Sequence, residues 1–322
     1  MRIAAVDIGT MSTRLMVVDV SEETPPIREI YRDLRITQLG LGMNVNGQLS
    51  SKGIGSVLEA LRDYVQLLVH FQVDEILCVA TSAIRDAKNA ELLTDGAAEL
   101  GIDVVVIPGE VEAQLSFLGA TYDAIDSGTA YKGSAETGFT LVVDSGGGST
   151  ELALGRLSHQ AGTLGRAEVT KLDSLQVGSR RLTDMFIDGD PPRSVELKGI
   201  RSYLQKVCSF ELQKYTGQFD RIVAVAGTAT TLAAVRGKIE PYNPEEIQGY
   251  RVTRGDLDVL LHLFLSKKLE QRERIAGLEP KRAGVIVAGT LIFEAILDAL
   301  GCEEFFVSDR DLLYGIILSA IS

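Results

Sequence analysis

Two turns rich in glycine, serine and threonine hold the residues best suited to phosphate chemistry. The first reads DIGTMST at positions 7–13, and the second reads DSGGGST at positions 144–150. Glycine lets the main chain approach an anion closely, and successive amides form an anion-binding concavity. The aspartate before each glycine can hold a divalent cation or its waters, because hard cations prefer carboxylate oxygens. Either turn alone could be an ordinary hairpin, but three consecutive glycines require a sharp bend or a closely approaching ligand.

Three further features could act beside these turns. The run GTATT at positions 227–231 follows a predicted strand and opens a helix, so it suits either a phosphate or an ordinary threonine N-cap. Glu110 and Glu112 lie in the first turn of another predicted helix, where acidic residues usually complement the helix dipole. Arg85 follows TSAI at positions 81–84, and its guanidinium could donate bidentately to a phosphate or lie on the surface.

Several classes of function are disfavoured. Neither GxGxxG nor GxxxxGK[ST] is present, which argues against a Rossmann dehydrogenase and a Walker-type NTPase. The three cysteines and three histidines are scattered, so the sequence indicates neither a zinc site nor a histidine-based triad. With 32 Lys+Arg against 44 Asp+Glu, the net charge is −12, which disfavours binding to nucleic acid or to an anionic membrane. There is no long apolar run and no signal-peptide pattern at the N-terminus, so we expect a cytoplasmic protein.

Alternating strands and helices must position these residues. Apolar runs bounded by Gly, Ser, Thr or Asp predict strands, and i, i+3, i+4 spacing predicts the helices between them. The predicted strands cover residues 3–6, 14–20, 76–80, 104–107, 141–143, 151–154 and 222–226, and the clearest helices cover residues 54–68 and 197–207. This alternation indicates an α/β architecture.

The two halves of the chain echo each other. Both glycine turns begin with Asp, have Gly two residues later and end with Ser-Thr, and the strand and turn at residues 76–82 resemble those at residues 222–228. The matched order predicts two related α/β domains that face each other, although coincidence between glycine-rich turns is an alternative. Residues 124–138 lack periodicity and are the candidate crossover between the domains. The run DGDPP at positions 188–192 predicts a loop that introduces a helix.

Five motifs, in order, resemble the exopolyphosphatase/guanosine pentaphosphate phosphohydrolase (Ppx/GppA) family. They are DIGT at 7–10, TSAIRD at 81–86, GEVEA at 109–113, VDSGGGSTEL at 143–152 and GTATTL at 227–232, and the resemblance continues through QVGSRRLT at 176–183 and GLEPKRA at 277–283. It covers essentially the whole chain, and GGGSTEL is its most specific part. The resemblance implies a two-domain actin-like, or sugar kinase (ribonuclease H-like), fold with a cleft between the domains. Residues 1–124 would form the first domain and residues 125–305 the second, with a helix at residues 306–322 packing back on the first. The chain resembles the short form of the family, without a C-terminal helical domain.

The resemblance also implies roles for the residues. Glu112 matches the family's catalytic carboxylate, which positions or deprotonates the attacking water, and Glu151 and Arg85 are assigned as catalytic beside it. Asp144, Asp7 and Glu151 match residues near a divalent metal, Mg²⁺ or Mn²⁺. The predicted phosphate-binding residues are Gly9, Thr10, Ser12, Thr13, Arg14, Gly146, Gly147, Gly148, Ser149, Gly227 and Thr228. Such a set suits phosphoryl transfer, which needs positioning and charge neutralisation more than covalent chemistry.

Three positions depart from the family pattern. Met11 stands where the family often has Asn, Val111 where a second Glu is common, and Gly284 where Asp is usual. Met11 removes one polar contact to phosphate or water, and Val111 removes a second carboxylate beside Glu112. The core chemistry is expected to remain, and an impaired or respecialised enzyme is the alternative that these departures leave open.

The sequence therefore predicts a phosphoric anhydride hydrolase that removes terminal phosphate from inorganic polyphosphate. The same chemistry on guanosine pentaphosphate (pppGpp) is the nearest alternative, a catalytically weak phosphate- or nucleotide-sensing protein is a second, and a small-molecule kinase is a third. The resemblance alone implies a homodimer. Because the chain is acidic and the substrate a polyanion, positive potential must be local. Arg180, Arg181, Lys281 and Arg282 are predicted to line the approach to the cleft, and a solvated surface position is the more common alternative for each.

Overall fold

The structure is a computed structural model that describes residues 1–21, 27–43, 47–122, 138–158 and 166–321. Across these ranges, helices and strands alternate around two separate β-sheets. The predicted crossover at residues 124–138 lies almost entirely outside the described residues, as does the predicted domain boundary at residue 124. No helix in the described ranges is both long and apolar enough to cross a membrane.

The first sheet has five strands: β1 (Arg2–Ile8), β2 (Thr13–Val20), β3 (Ile27–Arg35), β4 (Glu75–Ala80) and β5 (Val104–Val106). Their order is β3-β2-β1-β4-β5, with β1, β2 and β3 antiparallel and with β4 and β5 parallel to β1. The helices of this half are α1 (Ser51–His70), α2 (Ser82–Asp86), α3 (Glu91–Ala98) and α4 (Gly109–Ala120). Because β1 and β4 are parallel neighbours, the turns that follow them lie together at one edge of the sheet.

The second sheet has six strands: β6 (Thr140–Ser145), β7 (Thr150–Ser158), β8 (Arg166–Leu175), β9 (Arg221–Val225), β10 (Arg251–Thr253) and β11 (Glu304–Val307). Their order is β10-β11-β9-β6-β7-β8. The remaining helices are α5 (Ser179–Phe186), α6 (Ser194–Glu211), α7 (Ala226–Gly237), α8 (Pro244–Ile247), α9 (Arg254–Leu265), α10 (Leu269–Arg272), α11 (Ile286–Leu300) and α12 (Leu312–Ile321). Single 3₁₀ turns occur at Gln213–Tyr215 and Pro280–Arg282.

The second sheet repeats the order of the first. Read from β8 to β11, its strands follow the pattern of β3 to β5, and β10 is an added antiparallel edge strand. The register is repeated too, since Asp7 lies opposite Arg14 and Asp144 lies opposite Glu151. The predicted α/β architecture is therefore confirmed. One boundary is different, because residues 306 and 307 belong to β11, and the C-terminal helix begins only at Leu312.

Helix α4 lies between the two sheets. One face packs on the second sheet through Phe117 and neighbouring alanines. Another face meets α12, which itself packs on the first sheet. The two helices approach backbone to backbone, because a Cβ at Gly315 would lie 1.9 Å from the carbonyl oxygen of Leu115. A Cβ at Gly119 would likewise lie 1.9 Å from the carbonyl oxygen of Asp311. Helix α4 is thus packed tightly against both halves of the molecule.

Candidate active site

The turns after β1 and β6 face each other across a narrow cleft. Each is closed by the same hydrogen bond, from Gly9 N to Ser12 O at 2.9 Å and from Gly146 N to Ser149 O at 3.0 Å. The two halves approach closely here, since a Cβ on Gly148 would lie only 2.4 Å from Oγ of Ser82, the first residue of α2. The free volume of about 80 Å³ corresponds to about two or three water molecules. The cleft is therefore matched to a small polar group.

Backbone hydrogen bonds orient the peptide groups of both turns. In the first turn, the carbonyl oxygens of Thr10 and Met11 accept from the amides of Gly40 and Gln38, both at 2.9 Å. In the second turn, the carbonyl oxygen of Gly147 accepts from the first turn of α5 at 2.8 Å. Because a carbonyl and the following N–H of a trans peptide point in opposite directions, these bonds direct the next amides away from the groups that hold the carbonyls. Successive amides in turns that line a cleft are groups that can bind an anion.

Glu112, in the first turn of α4, lines the cleft and is 7% exposed. Arg85 donates from Nη1 to Glu112 Oε2 at 3.0 Å and to the Ile107 carbonyl at 2.9 Å. Burial raises the pKa of Glu112, and the negative charges of Glu151 and Asp144 raise it further. The Arg85 guanidinium opposes this rise. Glu112 therefore has a high proton affinity, which suits a base that takes a proton from water.

Glu151 is a second buried carboxylate beside Arg85. Its Oε1 accepts from Ser174 Oγ at 2.7 Å and is 3.8 Å from Nη2 of Arg85. Burial, followed by the charge of Asp144, raises the pKa of Glu151 to about 8. Arg85 thus stands between two buried carboxylates and screens one from the other.

Asp7 and Asp144 occupy equivalent positions at the ends of β1 and β6, and both line the cleft. Arg14 Nε donates to Asp7 Oδ2 at 2.9 Å, whereas Asp7 Oδ1 is buried without a hydrogen-bond partner among the described residues. Ser116 donates to Asp144 Oδ2. Burial raises the pKa of both aspartates, that of Asp144 to about 6. A buried carboxylate oxygen without a donor suits a cation.

Most of the predicted site residues line this cleft. They are Asp7, Gly9, Thr10, Ser12, Arg14, Glu112, Asp144, Gly146, Gly147, Gly148, Ser149, Gly227 and Thr228. Arg85, Glu151 and Thr13 do not line it. The first two are neighbours of Glu112, and Thr13 is fully buried with its hydroxyl 3.2 Å from that of Thr37. Within the described ranges, no three His, Cys, Asp or Glu residues form a ready metal-binding group.

Of the four basic residues predicted to line the approach, Arg282 alone lines the cleft. Arg180 is paired with Asp184, Arg181 is engaged by Asp86, and Lys281 is exposed. The Arg282 guanidinium lies over Gly227, where a Cβ would be 1.5 Å from Nη1. Arg282 forms no ion pair with any of the described residues. Burial, reinforced by the positive charge of Arg14, lowers the pKa of Arg282 to about 10. Glu279 and Asp311 oppose this lowering, and an anion in the cleft would stabilise the guanidinium charge further.

Sequence reasoning missed several hydroxyl groups of the cleft. Ser82 Oγ is buried, has no hydrogen-bond partner in the described part of the chain, and lines the cleft together with Thr81, Ser145 and Ser179. The duplication contained the signal for Ser82, because the turn after β4 corresponds to the turn after β9 that holds Thr228. Asp311 was also missed, and it pairs with Arg14 from the far end of the chain.

The three residues that depart from the family pattern, Met11, Val111 and Gly284, have different surroundings. Met11 lines the cleft and packs against the opposite turn, where a Cβ on Gly147 would lie 2.6 Å from Met11 Cγ. Val111 is 38% exposed and does not line the cleft. A Cβ on Gly284 would have no atom within 4 Å. Of the three residues, only Met11 lines the cleft.

Two duplicated α/β halves, with facing glycine turns and buried carboxylates between them, define an actin-like two-domain protein with a phosphate-sized cleft. The chain belongs to the Ppx/GppA phosphatase family, whose model matches residues 16–322. It is 33% identical to exopolyphosphatase 2 of Mycobacterium tuberculosis over 99% of this chain and 98% of that protein. It is also 33% identical in sequence to the Aquifex aeolicus Ppx/GppA family member. The crystal structure of that protein matches this chain with a TM-score of 0.77 over 100% of this chain and 97% of that chain. A guanosine-5'-triphosphate,3'-diphosphate pyrophosphatase of Aeromonas hydrophila is 27% identical over 98% of this chain and 58% of its own length. The predicted family and actin-like fold are thus confirmed.

Proposed function

We propose that this protein is an exopolyphosphatase, in which water attacks the terminal phosphorus of inorganic polyphosphate and orthophosphate is released. The observation that carries the proposal is the position of Glu112, a buried carboxylate that faces two glycine turns across a narrow cleft. The similarity to an exopolyphosphatase along nearly the whole of both chains supports the same substrate class.

In the proposed reaction, Glu112 orients a water molecule and takes one of its protons. A bond forms between the water oxygen and the terminal phosphorus, while the bridging P–O bond breaks and its electrons remain on the shortened chain. Arg85 holds Glu112 in place through Nη1, itself fixed by the Ile107 carbonyl. Burial keeps the proton affinity of Glu112 high, which favours proton transfer from water as the new bond forms.

The terminal phosphate would be held by groups from both halves. The two glycine turns line the cleft and can present their amides to it, and Ser82 Oγ is a buried hydroxyl without a hydrogen-bond partner in the described part of the chain. Arg282 also lines the cleft, and it forms no ion pair with the described residues. Phosphoryl transfer spreads charge over the equatorial phosphate oxygens, so fixed donors around them stabilise the transition state. Arg282 also supplies local positive charge for a polyanionic substrate, although the chain as a whole has a net charge of −12.

A divalent cation fits the cleft on the side of Asp7 and Asp144. Mg²⁺ is typically bound by one or two carboxylates together with substrate phosphates and water, so the absence of a group of three ligands in the described residues is compatible with it. The orphaned Oδ1 of Asp7 and the cleft-lining carboxylate of Asp144 are the candidate ligands. Glu151 fits less well, since it does not line the cleft and its Oε1 accepts from Ser174. When bound, Mg²⁺ or Mn²⁺ would neutralise negative charge on the phosphate oxygens.

The proposal is tested by measuring orthophosphate release from polyphosphates of defined length, with and without Mg²⁺. Orthophosphate that appears one residue at a time from the chain end, with saturation kinetics, is expected. Internal cleavage without early orthophosphate, or no turnover at any chain length with Mg²⁺ or Mn²⁺, would contradict the proposal.

Guanosine pentaphosphate is the second candidate substrate, and one feature of the structure favours it. A groove of about 820 Å³ adjoins the cleft and shares Arg14, Gly227 and Arg282 with it. Its walls include Tyr242 and Leu278, which could receive a planar base. A kcat/KM for pppGpp above that for polyphosphate would make the nucleotide the substrate.

Three further expectations belong to the proposal. A sensing protein without turnover would show thermal stabilisation by tripolyphosphate but release no orthophosphate, and a small-molecule kinase would consume ATP only with an added acceptor. A homodimer is expected from the family resemblance and is tested by sedimentation velocity. The division into domains at residues 1–124 and 125–305, and the cytoplasmic location, remain predictions.

A further inference from the structure

Arg181 joins the glycine turn of the second half to the first half of the molecule. Its Nε donates to the Gly148 carbonyl at 2.6 Å. Its Nη2 donates to Asp86 Oδ2 at 2.6 Å and to Gln176 Oε1 at 2.7 Å. Asp86 ends α2, the short helix that begins at Ser82. One guanidinium therefore contacts the phosphate-binding turn and the facing half at once.

Helix α5 holds the other carbonyls of the same turn. Ser179 N donates to the Gly146 carbonyl at 3.0 Å, and Arg181 N donates to the Gly147 carbonyl at 3.0 Å. This close approach requires a glycine before the helix, because a Cβ on Gly178 would lie 2.4 Å from the Gly147 carbonyl oxygen. The backbone of α5 thus fixes two of the three glycine carbonyls, and the Arg181 side chain fixes the third.

The duplicated turn in the first half uses a backbone amide at the equivalent carbonyl. Met11 is the counterpart of Gly148, and its carbonyl accepts from the Gln38 amide at 2.9 Å. In the second half a side chain replaces this amide. Since the carbonyl of Gly148 and the N–H of Ser149 belong to one planar trans peptide, the bond from Arg181 Nε sets the direction of the Ser149 N–H.

We infer that Arg181 is a positioning residue for the proposed reaction: it aims the Gly148–Ser149 peptide at the terminal phosphate, and Asp86 holds it in this position from the facing half. The inference rests on the proposed function. It replaces the prediction that Arg181 attracts polyphosphate at the entrance, because its guanidinium is already engaged by Asp86, Gln176 and the Gly148 carbonyl.

The test compares Arg181→Gln, Arg181→Lys and Asp86→Asn in orthophosphate release from inorganic tripolyphosphate. A lysine keeps the charge facing Asp86, but one ammonium group cannot occupy the positions of both Nε and Nη2. Both Arg181 variants are therefore expected to lower kcat about tenfold and to raise KM no more than about threefold, because a misdirected donor matters most where charge develops. Asp86→Asn, which leaves the Gly148 bond in place, should lower kcat about threefold. The Arg181→Gln/Asp86→Asn double variant should be no slower than Arg181→Gln alone.

Arg156→Gln is the matched control, because Arg156 forms an exposed ion pair with Glu168 on the same half and should leave both constants unchanged. If Arg181→Lys retains the kcat of the wild type, the contact is only an ion pair between the halves and the positioning role is wrong. Additive losses in the double variant would also overturn it.

Titration calorimetry with tripolyphosphate separates the positioning role of Arg181 from the proposed function. A wild type that binds tripolyphosphate without hydrolysing it contradicts the proposed function, and the positioning role then predicts an equal loss of affinity, about threefold, in both Arg181 variants. Unchanged affinity in both would overturn the positioning role.

Discussion

Replacing Gly227 by alanine should lower activity strongly without unfolding the protein. The added Cβ would lie 1.5 Å from Nη1, 2.1 Å from Cζ and 2.4 Å from Nη2 of Arg282. These atoms end a flexible side chain, so the guanidinium must retreat by roughly 2 Å to reach an ordinary contact distance. That movement takes the Arg282 guanidinium away from the position proposed for the terminal phosphate.

The two consequences of Gly227→Ala differ in size. Alanine in place of glycine near the start of α7 contributes about 0.4–1 kcal/mol of stability through the unfolded chain, which offsets the strain of moving Arg282. We expect the net change in unfolding free energy to stay within about 1 kcal/mol. Loss of a charged hydrogen bond to phosphate costs about 1.5–3 kcal/mol, or roughly 10- to 150-fold in kcat/KM.

Orthophosphate release from tripolyphosphate and urea unfolding measure the two effects separately. Gly284→Ala is the control, since its Cβ would meet no atom within 4 Å and should change neither quantity. Arg282→Gln should lower kcat/KM to the same degree, and combining it with Gly227→Ala should add little. A Gly227→Ala protein with kcat/KM within about twofold of the wild type would refute the role assigned to Arg282. Destabilisation by more than about 3 kcal/mol would refute the claim that only a flexible side chain must move.

Three other predictions concern packing, pH and metal. Gly119→Ala places a Cβ 1.9 Å from the Asp311 carbonyl oxygen, where rigid backbone cannot give way. We therefore expect the unfolding free energy measured in urea to fall by about 3 kcal/mol or more. A change below about 1 kcal/mol would contradict the close packing of α4 on α12. The Arg193 guanidinium, with the amides of Arg193, Asp188 and Gly189, lowers the pKa of Glu196 to about 2. The folded pKa lies below the unfolded value of about 4.3, so this stabilisation is present above that value and is lost as pH falls through about 2. The urea midpoint of Glu196→Gln should therefore fall less than that of the wild type between pH ~5 and ~2, and parallel curves would count against the effect. Chelation by EDTA should lower orthophosphate release at least about tenfold, with recovery on adding Mg²⁺, and full activity in EDTA would rule out the site proposed at Asp7 and Asp144.

Most of the central strands could be predicted from the sequence because both of their faces are buried, whereas the four-residue strand β11 was missed. The runs at residues 3–6, 141–143 and 222–226 are almost wholly apolar and became β1, β6 and β9. The edge strands β3 and β8 were missed, since their sequences IREIYRDLR and RAEVTKLDSL carry many charges. Such charges are common on sheet edges, where they discourage pairing with other chains. The strand β10 has only three residues, too few for a periodic pattern.

The glycine turns of the site could be predicted because the duplication places them at equivalent strand ends. The interactions of the side chains could not be predicted, because they are contacts between distant parts of the chain. Arg14 pairs with Asp311, 297 positions away, and Arg85 turns to Glu112 rather than lining the cleft. Arg282 reaches the cleft only because Gly227 has no side chain. Local sequence shows the residue types, whereas packing decides which cations form ion pairs in the described part of the chain.

The assignment of Glu112 as the base is tested most directly by comparing Glu112→Gln with Glu110→Gln. Both residues lie in the first turn of α4, but Glu110 is exposed and does not line the cleft. With tripolyphosphate and saturating Mg²⁺, we expect Glu112→Gln to lower kcat at least about 100-fold while it stays folded, because a positioned base contributes about 10²–10⁴-fold. Glu110→Gln should match the wild type. A Glu112→Gln protein that releases orthophosphate as fast as the wild type would contradict the account.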